Sequence, residues 1–248
     1  ISGANVTHAH LSEEDFWQPL TEVFGWAKQN VTSILCSCLA THALIEFCYG
    51  IERSRQAQKR WGVFSHKVLE RTHPLVAEIN TRFDVPHSRF NEIYQQDMEQ
   101  KGITILAASQ QAGVHLAVSS DGIRVVFFQG HPEYDDISLL KEYKREVMHF
   151  YQDNRSDYPP FPENYFDDEA REILTEYKQQ VTTAKNNNLA LSPFPEQAIL
   201  ALVDNTWRDT AKAVFNNWLG KVYQITNLDR RLPFMAGIDP KNPLGLSK

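Results

Sequence analysis

Apolar residues recur at helical spacing through residues 13–29, where Phe16, Leu20, Val23, Phe24 and Trp26 predict an amphipathic helix. The segment VTSILC (31–36) is β-branched and apolar enough for a buried strand, and LATHALIEFCYGI (39–51) then reads as helix until Gly50 ends it. A strand, a sharp turn and a helix are therefore expected around residue 38. Further along, WGVF (61–64), ITILAAS (103–109), VHLAVS (114–119) and IRVVFF (123–128) read as strands, with SSDG at 119–122 as a hairpin turn. Helical stripes return at 137–151 and 205–224. Between them Pro159, Pro160 and Pro162, the run Asn186–Asn188, and Pro193 and Pro195 punctuate a polar stretch, which reads as an excursion at about 165–200 inserted on the surface. The tail at 239–248 reads as a loose terminus. Alternating strands and helices argue for one α/β layered domain over 1–248, built with crossover helices.

Composition narrows the partners. Twenty-five Lys and Arg against 31 Asp and Glu leave a net charge of −6, and no stretch is basic enough to follow a phosphate backbone, so nucleic acid is not an expected partner. No apolar run reaches the ~18 residues a membrane span requires, and no membrane partner is expected. Cys36, Cys38 and Cys48 form an odd set within one short stretch, which suits a reducing, cytoplasmic compartment better than a disulfide framework. The opening ISGAN reads as the end of a strand entering a glycine turn, without the n- and h-regions of a signal peptide, as if the chain began in mid-fold.

Cys38 stands where the VTSILC strand meets the following helix, with the small residues Cys36 and Ala40 two positions to either side. A nucleophile elbow needs that pattern for steric reasons. The unpaired amides of a helix N-terminus favour a thiolate, and the amide of Leu39 is placed to donate to an oxyanion. A buried structural cysteine is the competing reading. The second signal is FFQGHPEYDD (127–136), where His131 and Glu133 lie two residues apart at a strand end. In extended backbone i and i+2 side chains point the same way, so Glu133 can orient the imidazole and stabilise its cation. Taken alone, H-P-E is equally a turn with solvated side chains. Pairs such as His8 and His10, or Cys36 and Cys38, lack a third ligand at sensible spacing, so no metal is expected. His87 beside Ser88 has no adjacent acid to make a serine hydrolase.

Together FDVPHSRFNEI (83–93), FQGHPEYD (128–135), the Cys38 segment ending in YGI (49–51) and WRDTAKAVFNNWLGKVYQIT (207–226) resemble the MetA family of homoserine O-acyltransferases. The resemblance covers almost the whole chain in order. It implies an α/β, class I glutamine-amidotransferase-like (flavodoxin-like) open sheet with flanking helices, whose early strands are missing from this chain. It also implies transfer of an acyl group from acyl-CoA to the hydroxyl of L-homoserine through a thioester, in methionine biosynthesis. The co-substrate is acyl-CoA, no separate cofactor is implied, and the family is usually homodimeric. Position by position, it implies Cys38 as nucleophile, His131 as base and Glu133 as its partner. Lys59, Ser88, Arg89 and Arg145 fall at substrate-binding positions, and Gly3 and Ala4, with Leu39, at the oxyanion site. Homoserine carries a carboxylate and an ammonium, so a fork-shaped cation such as Arg145 and a hydroxyl such as Ser88 suit its pocket.

Two departures bear on specificity: Leu39 and His42 stand where the family commonly has Trp and Gln, which puts acceptor or donor preference in question. L-serine or another hydroxy amino acid is therefore an alternative acceptor, and a glutamine amidase or thiol hydrolase an alternative activity on the same fold. For the donor, the family's size gate falls at Thr7. Glutamate there goes with acetyl-CoA, and threonine lacks the charge that would repel a succinyl carboxylate, so succinyl-CoA is favoured, with Lys59 near enough in the pocket to pair with that carboxylate.

Overall fold

The computed structural model describes residues 1–3, 6, 8–229 and 231–246. Six strands form one open mixed sheet flanked by helices: β1 (Ile34–Ser37), β2 (Ser54–Val68), β3 (Arg82–Glu92), β4 (Thr104–Ser109), β5 (Gly113–Val118) and β6 (Val125–Phe128), in the spatial order β1-β6-β5-β4-β2-β3. Among the six strands only β1 and β6 pair in parallel, with Ile34 opposite Val125 and Ser37 opposite Phe128, and an isolated parallel bridge joins Gly62 to Glu163. The remaining neighbours are antiparallel, since β4–β5 and β5–β6 are joined by short turns rather than by crossover helices. The Asp121 carboxylate closes the β5–β6 turn by accepting from Ile123 N (3.0 Å) and Arg124 N (2.7 Å), the job short acidic residues do in turns.

The strand expected at 61–64 is the middle of a much longer β2, and β3 has no counterpart among the expected strands. Both carry many polar residues. They persist as strands because they pair with each other over most of their length, from Arg60 opposite Arg89 to Lys67 opposite Arg82, with a register shift between Arg55 and Arg60. Pairing alternates the environments: Trp61 and Ser88 share one face, and Arg60, Arg89, Gly62 and His87 the other.

Three large apolar clusters hold the layers together, and a small fourth one joins Ile123, Ile225 and Phe234. Helices α1 (Trp17–Asn30) and α2 (Leu39–Tyr49) bury Phe24, Ala43, Leu44 and Ile45 against Ile34, Cys36 and Phe127. On the second face, α4 (Ser138–Tyr151) packs Leu139, Tyr143 and Val147 with Trp61, Val63 and Trp207. The third cluster joins Leu106, Leu116, Val126 and Val85 to Val214 of α7 (Arg208–Ile225).

The stretch at 165–200 carries a long helix with one buried face. Asp167 caps α5 (Asp168–Asn186) by accepting from Ala170 N at 2.8 Å, and Leu174, Tyr177 and Val181 recur on one face and are buried in the α4 cluster. The flanking prolines and asparagines punctuate the ends of this helix; they do not describe its interior. The short α3 (Gln95–Gln100) and α6 (Glu196–Leu200) complete the described α-helices. None of the described helices is long and apolar enough to cross a membrane.

Candidate active site

Cys38 is the hinge between β1 and α2, with φ 54° and ψ −118°, a backbone conformation that costs a non-glycine residue about 1–3 kcal/mol. The surroundings impose it. Cys38 N donates to Phe128 O (2.8 Å), His42 N donates to Cys38 O (3.3 Å), and Thr41 Oγ1 donates to the same Phe128 carbonyl (2.8 Å). The expected elbow is thus tied to the end of β6, where the strand runs into His131.

Ile1 runs beside β1, its amine donating to Leu35 O (2.9 Å) and its carbonyl accepting from Ser37 N (3.0 Å), which carries Gly3 to the elbow. A Cβ on Gly3 would stand 3.6 Å from Cys38 Sγ and 3.6 Å from Leu39 N. Gly3 and the Leu39 amide therefore border the same space beside the sulfur. The first amides of α2 have no carbonyl one turn back, which leaves Leu39 N–H free for an anion. Ala4, the third expected oxyanion residue, and Thr7, the expected donor gate, lie outside the described residues.

His131 is buried, and its backbone N–H is seated on Pro86 O at 2.8 Å. Its Nδ1 donates to Glu133 Oε1 at 2.8 Å, so the i and i+2 side chains meet as the extended turn requires. Ser37 Oγ steadies the same carboxylate at 3.1 and 3.2 Å. Tyr134 stacks on the imidazole, ring centres 4.2 Å apart. His131 Nε2 is buried and makes no hydrogen bond within normal limits. Burial works against an imidazolium here, but the adjacent Cys38 sulfur and the Glu133 carboxylate outweigh it and push His131 up to about 10. For Glu133, burial favours the neutral acid, and the His131 proton and charge overcome it and hold the carboxyl below its usual range. A cationic imidazole beside a sulfur is the arrangement of a thiolate–imidazolium pair.

A second polar group lies next to the first, and sequence reasoning missed its centre. Glu142 on α4 accepts from Ser88 Oγ (2.6 Å) and Tyr134 Oη (2.6 Å) and pairs with Lys59 Nζ (3.2 Å). Burial pushes Glu142 toward the neutral acid; the Lys59 charge and the hydroxyl donors reverse that and hold it ionised. Lys59 also lies over the Trp61 ring, 4.5 Å from its centre. Two of the expected substrate residues, Lys59 and Ser88, thus converge on one carboxylate, and Tyr134 links that carboxylate to the His131 imidazole. Arg145 lies one helical turn beyond Glu142, largely exposed, its nearest carboxylate Glu146 at 3.7 Å. The spacing of Glu142 and Arg145 on one helix is the signal that was available for Glu142.

Arg89 departs from expectation. It points to the face opposite Ser88 and is buried, with Nη1 on Asn91 O (2.7 Å), Nη2 on Ala112 O (2.6 Å), Nε on His87 Nδ1 (3.3 Å) and Glu92 at 3.6 Å. Each nitrogen of the guanidinium thus has a partner inside the protein. His42 and Leu39 are buried in the core as well. His42 Nε2 meets Gln129 Oε1 at 3.0 Å, and burial, reinforced by the Arg89 charge, holds the ring neutral, down to about 3. His42 is therefore a core contact and not a pocket residue. No group of three His, Cys, Asp or Glu side chains among the described residues is arranged to hold a metal ion.

Residues 1–228 match the family model described as homoserine O-succinyltransferase. A homoserine O-succinyltransferase of Methylobacter tundripaludum is 72% identical over 246 residues, covering 99% of this chain and 70% of the relative. That of Methylococcus capsulatus is 64% identical over 247 residues, again with 70% of the relative covered. Among solved structures, a glutamine amidotransferase from Methylobacillus flagellatus superposes with a TM-score of 0.53 at 14% identity, over 86% of this chain and 73% of that one. The latter likeness places the open sheet and flanking helices in the class I glutamine amidotransferase fold.

Proposed function

The chain belongs to the homoserine O-succinyltransferase family, and from that premise we propose that it transfers the succinyl group of succinyl-CoA to the hydroxyl of L-homoserine through a thioester on Cys38. The observation that carries this reading is the strained Cys38 elbow facing His131, itself held by Glu133 at 2.8 Å, with Gly3 and Leu39 beside the sulfur.

His131 is the group that holds the proton while Cys38 acts as nucleophile. Sγ attacks the succinyl carbonyl, and its oxyanion is met by the amides of Leu39 and the Gly3 loop. The carbon–sulfur bond to CoA breaks, and His131 gives its proton to the departing CoA thiolate. Neutral His131 Nε2 then takes the hydroxyl proton of homoserine as that oxygen attacks the thioester. Cys38 leaves as thiolate, and the imidazolium is restored.

The Glu142 group supports a zwitterionic amino acid as acceptor. Its carboxylate suits the ammonium, while Lys59 and the exposed Arg145 suit the carboxylate, with Ser88 as a further polar contact. His42, one of the two residues that raised serine as an acceptor, is bonded to Gln129 in the interior, which weighs toward homoserine. Succinyl-CoA is favoured over acetyl-CoA by Thr7 at the gate position. The reaction belongs to methionine biosynthesis, in the cytoplasm, with no cofactor besides acyl-CoA as co-substrate and with a homodimer as the expected state.

The test is to mix the protein with succinyl-CoA without acceptor and map the adduct by mass spectrometry. One succinyl group on Cys38, discharged by homoserine and not by water or serine, is the expected result. A label elsewhere, or one that survives Cys38→Ala, overturns the thioester route. Discharge by water as fast as by homoserine would make the chain a thiol hydrolase.

A further inference from the structure

Three histidines that the reaction above does not use, His66, His87 and His115, are buried together beneath the His131 turn, ring centres 5.1 to 6.1 Å apart. Their hydrogen bonds run in one direction only. Phe64 O is a carbonyl and can only accept, so the 2.8 Å contact puts the proton of His66 on Nδ1. Burial keeps the His66 ring neutral, down to about 4, so its Nε2 is bare and must accept at 3.2 Å from Nε2–H of His87. His87 Nδ1 is then bare in turn, and it accepts from Arg89 Nε at 3.3 Å. Arg89 never gives up its proton at ordinary pH, and Asn91 O and Ala112 O hold it in place. The Phe64 carbonyl and the guanidinium therefore hold the two tautomers from opposite ends: a second proton on His87 would set two N–H groups against each other.

The chain touches the catalytic turn at one place. A Cβ on Gly130 would stand 2.8 Å from His87 Nε2, 2.9 Å from His87 Cε1 and 2.7 Å from Val85 Cγ1. The backbone of residue 130 thus lies directly on the His87 ring, and the next residue, His131, hangs its N–H on Pro86 O. The orientation of the His87 ring sets the height of the turn that carries the base.

We propose that Arg89, His87 and His66 form a tautomer-locked chain that positions His131, with Arg89 a positioning residue rather than a substrate ligand. This inference rests on His131 being the catalytic base of the proposed reaction.

Long-range nitrogen–proton NMR on the full chain reads the tautomers directly and needs no activity. His66 is expected as the Nδ1–H form and His87 as the Nε2–H form. Arg89→Met should leave His87 Nδ1 without its donor, loosen the ring against Gly130 and lower kcat by about 10- to 100-fold, the cost of misplacing a catalytic group, with KM for either substrate changed less than about threefold. Arg89→Lys, which restores a donor, should recover part of kcat. An Nδ1–H or doubly protonated His87 in the wild type overturns the proposal, and this readout stands even where Arg89→Met fails to fold. An Arg89→Met variant that raises the KM for homoserine at unchanged kcat also overturns it, by making Arg89 a ligand. A wild type with the expected tautomers but no acyl transfer would sink the functional reading alone.

Discussion

Glu133→Gln tests the catalytic pair with the least disturbance to its shape. The substitution removes a full charge 2.8 Å from His131 Nδ1 and leaves an amide of the same outline, still within reach of Ser37 Oγ. Two unit charges about 4 Å apart interact by about 4 kcal/mol at an effective dielectric of about 20. Half of the Glu133 side chain faces solvent (49% exposed), so screening cuts this to about 2 kcal/mol. That corresponds to a loss of about 30-fold in acylation rate, far short of the ~10⁴-fold drop known for a fully buried triad acid. Single-turnover loss of the succinyl-CoA thioester on mixing with enzyme measures it, without acceptor. The same variant carries a pH signature. His131 is raised from 6.5 to about 10, so its stabilising contribution is complete below pH 6.5 and disappears as pH climbs toward 10; that of Glu133, lowered from 4.5, is complete above pH 4.5 and disappears in acid. The stability gap between wild type and Glu133→Gln should therefore be widest between about pH 4.5 and 6.5 and close toward pH 10, as denaturant titrations across that range will show. A loss of acylation under about threefold, or one confined to the KM for homoserine, refutes the reasoning.

Gly3→Ala meets only ordinary van der Waals distances, 3.4 Å and longer, so the protein should melt as the wild type does while acylation slows about tenfold as the methyl crowds the oxyanion space; equal rates would remove Gly3 from the site. Glu142→Gln strips Lys59, Ser88 and Tyr134 of their common anion and should cost about 1–3 kcal/mol of stability in urea titrations, with a KM for homoserine raised at least about tenfold. Arg145→Ala should raise the homoserine KM by about tenfold, a modest effect for a largely exposed cation, and leave the acylation half-reaction unchanged; equal damage to both halves would give Arg145 a structural role. Thr7→Glu should move the ratio of kcat/KM for succinyl-CoA over acetyl-CoA toward acetyl-CoA by about 10-fold or more, and an unmoved ratio would show that residue 7 is not the gate.

What the chain determines by itself is its local chemistry. The elbow at Cys38 is legible because a buried strand, a small-residue turn and a helix follow one another directly from Ile34 to Tyr49, and the pairing of His131 with Glu133 because extended backbone returns i and i+2 to one side. The hairpin at 119–122 and the ends of α1, α2, α4 and α7 follow from turn residues and from periodicity that needs no distant partner. Helix α5 escaped notice because the prolines and asparagines around it outweighed the spacing of Leu174, Tyr177 and Val181, which becomes a buried face only when α4 lies against it. Tertiary pairing decided the rest. Arg89 and Ser88 are adjacent in the chain and alike in polarity, yet the pairing of β2 with β3 sends Ser88 to Glu142 and Arg89 into the histidine cluster. A strand alternates its faces, but nothing within the strand says which face will meet a helix and which will meet the core. That choice made Glu142 the centre of the candidate acceptor pocket, and it buried an arginine expected to bind substrate against the histidines below the His131 turn.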